Sequence, residues 1–408
     1  MRSKRKRILF VAEGITMTHF ARPAALAEAL DPEEWDVHFR TPKRYHPLLR
    51  QTFSSLGDLQ TIDPVAFLDA MAHGRVLYSK EAIRGYVSDD QKIIQEIRPD
   101  LVIGDYRLSL CISAPLCGVP FASIFNAQWS PYGNQPAIVP EMPVTRWVAP
   151  RLLNPLFALL RPAIYAWHAK PVNDIRRSFG LSRLAEDIRA IYTAGDLVLY
   201  PDVPEFVPIT GAPDHHRFIG ICSWSPAVPK PAWWNEVMAA PLPRIFVSLG
   251  SSGAVKVLPV VLEAVSSLPV QVILATSGRA VGAVPSNVRT ADLLPYEETS
   301  RQCAAVVSHG GTGGLYLALA AGTPMLAIPN NIDNHLSTAL LEKKGAGIGV
   351  RVESASPERL RSVLKRLLSE PGFREAAKKM SAEIARHDTK KIFPELLRQW
   401  FARRDSAG

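Results

Sequence analysis

Residues 306–324, VVSHGGTGGLYLALAAGTP, run from an apolar strand through a turn with four glycines into an apolar helix. The strand is expected at 304–307 and the helix from about Leu315. Glycines let backbone N–H groups approach an anion closely, and the N-terminus of a helix adds partial positive charge. The pattern therefore predicts an α/β sheet with an anion site where this strand ends.

A second glycine turn lies earlier in the same half of the chain. The apolar run 244–249 leads into a Gly-Ser-Ser-Gly turn that precedes another helical pattern. Neither turn has the spacing of the G-x-x-x-x-G-K-[ST] or G-x-G-x-x-G phosphate loops. Glycines used only for tight turns would explain either segment alone, whereas two such turns together suit a diphosphate. The expected donors are Gly250, Ser251, Ser252, His309, Gly310, Gly311, Thr312 and Gly313.

Short runs rich in Val and Ile alternate with helical patterns, which favours parallel sheets flanked by helices. In the first half, strands are expected at 7–12, 36–40, 100–104, 121–125 and 196–200. In the second half they are expected in RIFVSLG, VQVILATSG, VRTADLL, AAVVSHGG, PMLAIPN and IGVRV. The predicted fold class is therefore α/β, with two doubly wound Rossmann-like domains facing across a cleft.

Proline-rich stretches mark the expected domain boundaries. Residues 224–243 carry five prolines, which is typical of a stiff, extended linker. Residues 146–170 are helical in tendency but broken by prolines, and they are interpreted either as an insertion beside the cleft or as simple domain packing. Residues 357–404 are expected to form three helices, the last packing back on the N-terminal domain. The predicted ranges are an N-terminal domain over 1–222, a linker over 223–243 and a C-terminal domain over 244–408.

The positive charge of the chain is concentrated at its two ends. The formal net charge is +9, but residues 2–7 hold five basic groups and no acid, and residues 343–408 hold sixteen basic and eight acidic groups. The remainder of the chain therefore carries a net charge of −4. Because no basic stretch is interleaved with stacking aromatic residues, no nucleic-acid partner is expected.

The cysteines and the apolar runs bear on compartment. Four cysteines form no C-x-x-C pair and offer no metal-ligand spacing, so neither a disulfide framework nor a metal site is expected. The basic start resembles the first part of a signal peptide, but the apolar run after it ends at Glu13 and is too short. The longest uncharged stretch, 108–140, holds prolines and amides that a lipid-facing helix would not tolerate. The sequence thus predicts a cytoplasmic protein without stable membrane insertion, and it leaves the oligomeric state open.

Residues 309–335, HGGTGGLYLALAAGTPMLAIPNNIDNH, resemble the donor-binding signature of nucleotide-sugar glycosyltransferases with the GT-B fold, in the bacterial branch of the UDP-glycosyltransferase superfamily. THFARPAALAEAL, at 18–30, is similar to that family's H-x-x-P segment, and FIGICSWSPAVPKPAWW, at 218–234, is similar to its approach to the second domain. The resemblance implies an inverting, metal-independent hexosyltransferase that needs no cofactor. The C-terminal domain would bind a UDP- or dTDP-sugar, and the N-terminal domain would bind a small-molecule acceptor of natural-product type.

The resemblance also implies a role for each candidate residue. The two glycine turns would hold the diphosphate and stabilise the leaving charge without a metal ion. Asp333 and Asn334 match the pair that contacts hydroxyls of the donor sugar. His19 matches the general base that deprotonates the acceptor, and Asp105 matches its orienting carboxylate. Apolar and aromatic residues over 125–167 suggest an aromatic or polyketide-like acceptor.

Three positions depart from the family pattern. Arg22 stands where the proline of H-x-x-P is expected, and the proline follows it as Pro23. Leu317 occupies the position of a ribose-binding Glu, although its side chain cannot accept hydrogen bonds from ribose hydroxyls. Tyr296 occupies the position of a base-recognising Gln. The sequence therefore does not choose between uracil and thymine, and it does not identify the sugar.

Two alternative functions are left open by the sequence. A sugar-nucleotide epimerase would share the architecture, although the His-Gly-Gly turn and the Asp-Asn pair match transferases better. A degenerate GT-B protein that binds or assists without catalysis would explain Leu317 and Tyr296.

Overall fold

The computed structural model describes residues 5–226, 228–250 and 255–407 of the 408-residue chain. Residue contacts divide the chain into two units. The first unit contains the residues up to 135, those from 159 to 224 and those from 387 onward, and the second contains 136–158 and 225–386. The polypeptide therefore passes from one unit to the other four times.

The first unit is built on a parallel sheet of seven strands. In chain order they are β1 (Lys6–Ala12), β2 (Trp35–Arg40), β3 (Ser55–Gly57), β4 (Leu101–Asp105), β5 (Phe121–Ile124), β6 (Leu197–Tyr200) and β7 (His216–Phe218). Their spatial order is β3-β2-β1-β4-β5-β6-β7, so the winding direction reverses between β1 and β4. Ligands of doubly wound sheets bind beyond the carboxyl ends of the strands at such a reversal.

The second unit has a parallel sheet of six strands. They are β8 (Arg244–Ser248), β9 (Gln271–Ala275), β10 (Val288–Ala291), β11 (Ala305–Ser308), β12 (Met325–Ala327) and β13 (Gly347–Gly349). The spatial order β10-β9-β8-β11-β12-β13 reverses between β8 and β11. The two glycine turns follow these two adjacent strands, because Ser248 and Ser308 are paired in the sheet.

Helices connect the strands in both units. They are α1 (Met17–Glu28), α2 (Pro64–Ala72), α3 (Lys80–Ile97), α4 (Leu110–Leu116), α5 (Pro150–Ser178), α6 (Ile188–Tyr192), α7 (Trp234–Ala239), α8 (Leu258–Ser266), α9 (Tyr296–Arg301), α10 (Thr312–Ala320), α11 (Ile332–Lys343), α12 (Pro357–Ser369), α13 (Pro371–Ala385) and α14 (Thr389–Ala407). None of these helices is long and apolar enough to cross a bilayer, a finding that covers only the described residues.

The two faces of β1 explain why helices lie on both sides of the first sheet. Ile8 and Phe10 belong to a core that includes residues of α1 and α14, whereas Leu9 and Val11 belong to a core that includes residues of α3 and α5. All four side chains are buried. Such a run of apolar residues facing both ways is typical of a central parallel strand.

The predicted fold class is confirmed, and the predicted strands correspond to observed ones with ends shifted by a residue or two. The short strands β3 and β7, at the two edges of the first sheet, were not predicted. The division into units departs from the expected ranges in placing 136–158 with the second unit. The last helix, α14, lies in the first unit.

Two proline-rich stretches form more helix than the sequence suggests. The expected extended linker over 224–243 contains α7, because Trp234 and Val237 lie one helical turn apart and are both buried. Helix α5 continues through Pro155 and Pro162. Both prolines are exposed, so water can satisfy the carbonyl groups that lose an N–H partner.

Candidate active site

His19 and Asp105 lie together at the reversal point of the first sheet. Asp105 ends β4 and is paired with Ala12 at the end of β1, and His19 lies in the first turn of the helix that follows β1. The distance from His19 Nδ1 to Asp105 Oδ1 is 2.8 Å. The Asp105 side chain is fully buried, whereas that of His19 keeps 16% exposure. A carboxylate at Nδ1 holds the ring proton there and leaves Nε2 free to accept a proton.

Arg22 forms a second, two-pronged contact with the same carboxylate. Its Nε donates to Asp105 Oδ2 at 2.6 Å, and its Nη2 donates to Oδ1 at 2.7 Å. Burial alone would lower the pKa of Arg22, but the charge and hydrogen bonds of Asp105 raise it above the ordinary value. Arg22 therefore places a buried cation at the position of the family's proline. The sequence shows this departure from the family pattern but does not indicate that Asp105 is its partner.

The polar network continues from Arg22 to the next two strands. Arg22 Nη1 donates to Asn126 Oδ1 at 2.7 Å, and Asn126 Nδ2 donates to Asp202 Oδ1 at 3.0 Å. Asp202 Oδ2 also accepts the backbone N–H of Ala127 at 2.6 Å. Asn126 and Asp202 follow β5 and β6, so the network joins the carboxyl ends of three neighbouring strands. The sequence analysis missed both residues.

A second buried charge cluster supports the loops on either side of His19 and Asp105. Glu13 directly follows β1, and its Oε1 accepts from Arg107 Nη1 at 2.8 Å. Arg107 also donates from Nε to Asp90 Oδ1 at 3.0 Å. Burial raises the pKa of Glu13, although the nearby Arg107 charge lowers it. Because Glu13 and Arg107 adjoin β1 and β4, their pairing fixes the two strand ends relative to each other.

Aromatic rings extend from the His19 ring. The Tyr106 ring centroid lies 5.1 Å from that of His19 and 5.3 Å from that of Phe125. Phe125 in turn stacks on Tyr192 at 4.4 Å. Tyr106 has a φ of 57°, a left-handed conformation that a side chain of this size rarely adopts. The strained backbone places an aromatic ring directly after the buried carboxylate.

In the second unit, the glycine turn after β11 is shaped by close contacts that only glycine permits. Gly310 has a φ of 78°, and a Cβ there would lie 2.6 Å from Thr338 Oγ1. A Cβ on Gly311 would lie 2.5 Å from His309 Nε2. Ser337 donates to the carbonyl of Gly310 at 2.7 Å. Helix α10 begins at Thr312, earlier than expected, so Thr312 and Gly313 lie in its first turn, where N–H groups have no intrahelical partner.

The turn after β8 approaches the same histidine. Gly250 has a φ of 65°, and a Cβ there would lie 2.5 Å from His309 Cε1. The predicted donors Ser251 and Ser252 lie outside the described residues. Burial lowers the pKa of His309 to about 4, and the positive charge of Arg279 makes a smaller contribution in the same direction. Arg279 follows β9 and was missed by the sequence analysis, yet it brings a positive charge near the two glycine turns.

The predicted sugar-contacting pair lies in the first turn of α11. Asp333 is partly exposed, whereas Asn334 is buried and its Nδ2 donates to Asn330 Oδ1 at 2.8 Å. The next residue, His335, lies with its Nε2 2.6 Å from Glu141 Oε2. Glu141 belongs to the 136–158 segment of the second unit, and no sequence pattern indicated this contact. Only Asp333 of the pair thus has an accessible side chain.

The two unusual donor-site positions differ in their surroundings. Tyr296 begins α9, and its ring packs against Phe246 with centroids 4.9 Å apart. A Cβ on Gly314 would lie 2.9 Å from the Tyr296 hydroxyl, and burial raises the pKa of that hydroxyl. Tyr296 is therefore a packing residue beneath the glycine turn. Leu317 is partly exposed on α10.

Comparisons with known proteins identify the family of this chain. Residues 259–396 match the family model described as the C-terminal domain of erythromycin biosynthesis protein CIII-like proteins. A PGL/p-HBAD biosynthesis glycosyltransferase of Mycobacterium tuberculosis is 41% identical over 380 residues, which cover 93% of this chain and 89% of that protein. The chain belongs to the GT-B glycosyltransferase family. It is therefore a glycosyltransferase of natural-product type, and the resemblance in the sequence is confirmed.

Two further relatives are named as a rhamnosyltransferase and as an inactive glycosyltransferase. A PGL/p-HBAD biosynthesis rhamnosyltransferase of Mycobacterium bovis is 39% identical over 385 residues, which cover 94% of this glycosyltransferase and 85% of that one. A protein of the same species called an inactive PGL/p-HBAD biosynthesis glycosyltransferase is 42% identical over 262 residues, or 64% of this chain and 71% of that one. The family thus includes both active and inactive members.

Solved structures support the fold of this glycosyltransferase. Spinosyn rhamnosyltransferase SpnG, determined with thymidine diphosphate, superimposes with a TM-score of 0.69 at 19% identity, over 97% of this chain and 99% of that one. The calicheamicin glycosyltransferase CalG4 superimposes with a TM-score of 0.71 at 16% identity, over 98% and 99% of the two chains. At such identities the agreement concerns architecture only.

Proposed function

We propose that this glycosyltransferase moves a sugar from a UDP- or dTDP-sugar to a hydroxyl of a small-molecule acceptor of natural-product type, with inversion at the anomeric carbon. The observation that carries the proposal is the 2.8 Å contact between His19 Nδ1 and the fully buried carboxylate of Asp105. Structural work on SpnG with thymidine diphosphate supports a nucleotide donor by analogy.

His19 acts as the general base. With its ring proton held on Nδ1, Nε2 takes the proton of the acceptor hydroxyl as the oxygen attacks the anomeric carbon. The bond from that carbon to the diphosphate oxygen breaks, and the nucleoside diphosphate leaves. Asp105 orients the ring and stabilises the imidazolium, and Arg22 holds the buried carboxylate in place through two hydrogen bonds. A single displacement of this kind inverts the configuration of the transferred sugar.

The donor-binding unit stabilises the charge that develops on the leaving group. The N–H groups of the first turn of α10 and the glycine turn of Gly310 and Gly311 bind the diphosphate oxygens. Neutral His309 donates an N–H, and Arg279 adds a full positive charge nearby. Among the predicted sugar contacts, Asp333 is the residue that binds sugar hydroxyls, because its side chain is partly exposed whereas that of Asn334 is buried. No step in this scheme uses a cofactor.

The acceptor binds beside the aromatic residues near His19. The rings of Tyr106, Phe125 and Tyr192 follow one another at centroid distances of 4.4 to 5.6 Å. Aromatic side chains favour flat, apolar ligands through stacking. An aromatic or polyketide-like aglycone fits this environment better than a highly polar acceptor.

The decisive experiment compares His19→Ala with wild type in a mass-spectrometric screen of nucleotide-sugars and mixed acceptors. Loss of general-base catalysis lowers kcat by about 10²–10⁴-fold. The affinity for the nucleoside diphosphate, measured by calorimetry, stays the same because His19 lies in the other unit. His73→Ala is the matched control, since His73 is an exposed histidine of the first unit. Unchanged turnover in His19→Ala would refute the assigned base, and NMR of the product tests inversion.

A second candidate, a binding protein without catalysis, is favoured by Leu317 at the ribose-binding position. The same screen separates the two functions. Transfer to any acceptor excludes the binding-only function, whereas nucleotide binding without product from every donor and acceptor supports it.

A further inference from the structure

The 136–158 segment packs on the second unit with its polar side chains inward. Glu141 contacts His335, and Arg351 Nη1 donates to the carbonyl of Val139 at 3.1 Å. Thr145 is buried, and its Oγ1 donates to Glu353 Oε2 at 2.7 Å. These contacts fix one side of the segment to the unit through hydrogen bonds and ion pairs.

The same segment also carries exposed apolar side chains. We call this set the outward apolar face and define it by five residues: Met142, Val144, Trp147, Leu152 and Leu156. Their exposed fractions range from 40% to 89%, with Trp147 the highest. Single exposed apolar residues are ordinary, but five within fifteen residues of a segment whose polar side chains are anchored invert the usual arrangement. Such a face indicates an apolar partner.

The charged residues that follow Met142 along the chain, as far as Asn173, have one sign. No acidic residue occurs between Met142 and Asn173, a stretch of 32 residues. Arg146 and Arg151 lie between the apolar residues of the face and are exposed. Arg161 and Lys170 follow along the same helix, although Lys170 pairs with Asp174 at 3.0 Å. An anionic partner therefore complements the face.

We propose that the outward apolar face docks this protein on an anionic membrane surface. Helices that lie in the membrane interface combine Trp and Leu on one side with Arg or Lys beside them, so that the rings and aliphatic groups enter the headgroup region while the cations bind lipid phosphates. The first turns of α5 and the residues before it have this composition. The protein lies on the bilayer through this face and does not cross it.

Two other occupants fit the observations less well. A small molecule needs a concave pocket that encloses most of its surface, and a tryptophan side chain with 89% exposure is not enclosed. A second copy of the chain, related by two-fold symmetry, would place the Arg146 and Arg151 side chains against the same cations of its partner. The charge pattern thus favours the lipid surface.

The test is vesicle flotation of the full chain with phosphatidylcholine vesicles and with vesicles that also contain phosphatidylglycerol. Wild type should float with the anionic vesicles and be released at high salt. Trp147→Ser/Leu152→Ser should weaken binding more than about tenfold through lost apolar burial. Arg146→Gln/Arg151→Gln should weaken it by about fivefold per arginine. Val65→Ser, an equally exposed apolar site in the first unit, should float like wild type.

All of the substituted side chains are exposed; Leu152, for example, keeps 66% exposure. The variants should therefore melt like wild type. The proposal is wrong if wild type does not float with anionic vesicles, or if neither double variant weakens flotation. It is also wrong if sedimentation shows a dimer that Trp147→Ser/Leu152→Ser abolishes, since the face would then bind a second copy. None of these outcomes depends on transferase activity.

Discussion

Replacing Arg22 by Met removes the cation that holds the buried Asp105 carboxylate. Wild-type Asp105 accepts hydrogen bonds from Arg22 at 2.6 and 2.7 Å and contacts His19 at 2.8 Å, with no exposure of its side chain. The variant removes both Arg22 hydrogen bonds to the carboxylate and the Arg22 hydrogen bond to Asn126 Oδ1. Breaking a buried ion pair by removing one partner costs about 3–5 kcal/mol of unfolding free energy.

The assay is thermal unfolding followed by calorimetry. For a unit of this size, about 3–5 kcal/mol corresponds to a Tm lower by roughly 6–20 °C. Arg398→Met is the matched control, because Arg398 forms a similar two-pronged pair with Glu34 at 2.7 and 2.8 Å on the surface. An exposed pair of this kind contributes about 1 kcal/mol or less. The Arg22 variant should therefore unfold well below the Arg398 variant.

A double variant separates the ion pair from the loss of side-chain volume. In Arg22→Met/Asp105→Asn the buried carboxylate that lost its cation is also removed, so this protein should be more stable than Arg22→Met alone. Strictly additive losses would refute the reasoning, as would an Arg22 variant that melts like the Arg398 control. Either result would show that the Arg22–Asp105 pair is not coupled in its contribution to stability.

Two further predictions concern the donor-binding unit. Because burial lowers the pKa of His309 to about 4, neutral His309 contributes its full stability above pH 6.5 and loses it as the pH falls toward 4, by at most about 3 kcal/mol. His309→Gln should flatten the dependence of Tm on pH in that window, and an unchanged slope would contradict this assignment. Gly310→Ala should lower stability by about 1–3 kcal/mol and weaken diphosphate binding, because φ is 78° and Thr338 Oγ1 lies 2.6 Å from the new Cβ. Gly211 has a similar φ of 71°, but no atom lies within 4 Å of a Cβ placed there. If Gly211→Ala lowers the denaturation midpoint as much as Gly310→Ala does, the contact of the new Cβ with Thr338 is unimportant.

The strand pattern and the glycine turns of this protein are readable from sequence because they are local. The run into His309 and Gly310 predicts a strand, a turn and a helix from adjacent residues, and the structure has all three. The sequence also indicated His19 and Asp105, but only through a family resemblance. Their proximity arises from the pairing of Ala12 with Asp105 across two strands, which no local pattern encodes.

What the sequence did not predict depends on contacts between distant residues. Arg22 and Asp105 are 83 positions apart, and Glu141 and His335 are 194 apart. Tyr296 matched a base-recognition position by alignment alone, whereas its ring is held by Phe246 beneath the glycine turn. In each case the residue type was visible and its partner was not. Long-range pairing of this kind requires the three-dimensional arrangement of the strands.

The place of α14 in the first unit has a consequence for synthesis on the ribosome. Phe393 and Leu397 of this helix are fully buried in the core that contains Ile8 and Phe10 of β1. Strand β1 is thus made long before α14, the helix that covers one of its faces. During translation the second unit can finish folding first, and the N-terminal sheet keeps an open apolar face until α14 has been made. A chaperone that binds this face on the nascent chain would act on the earliest-made part of the protein for the longest time.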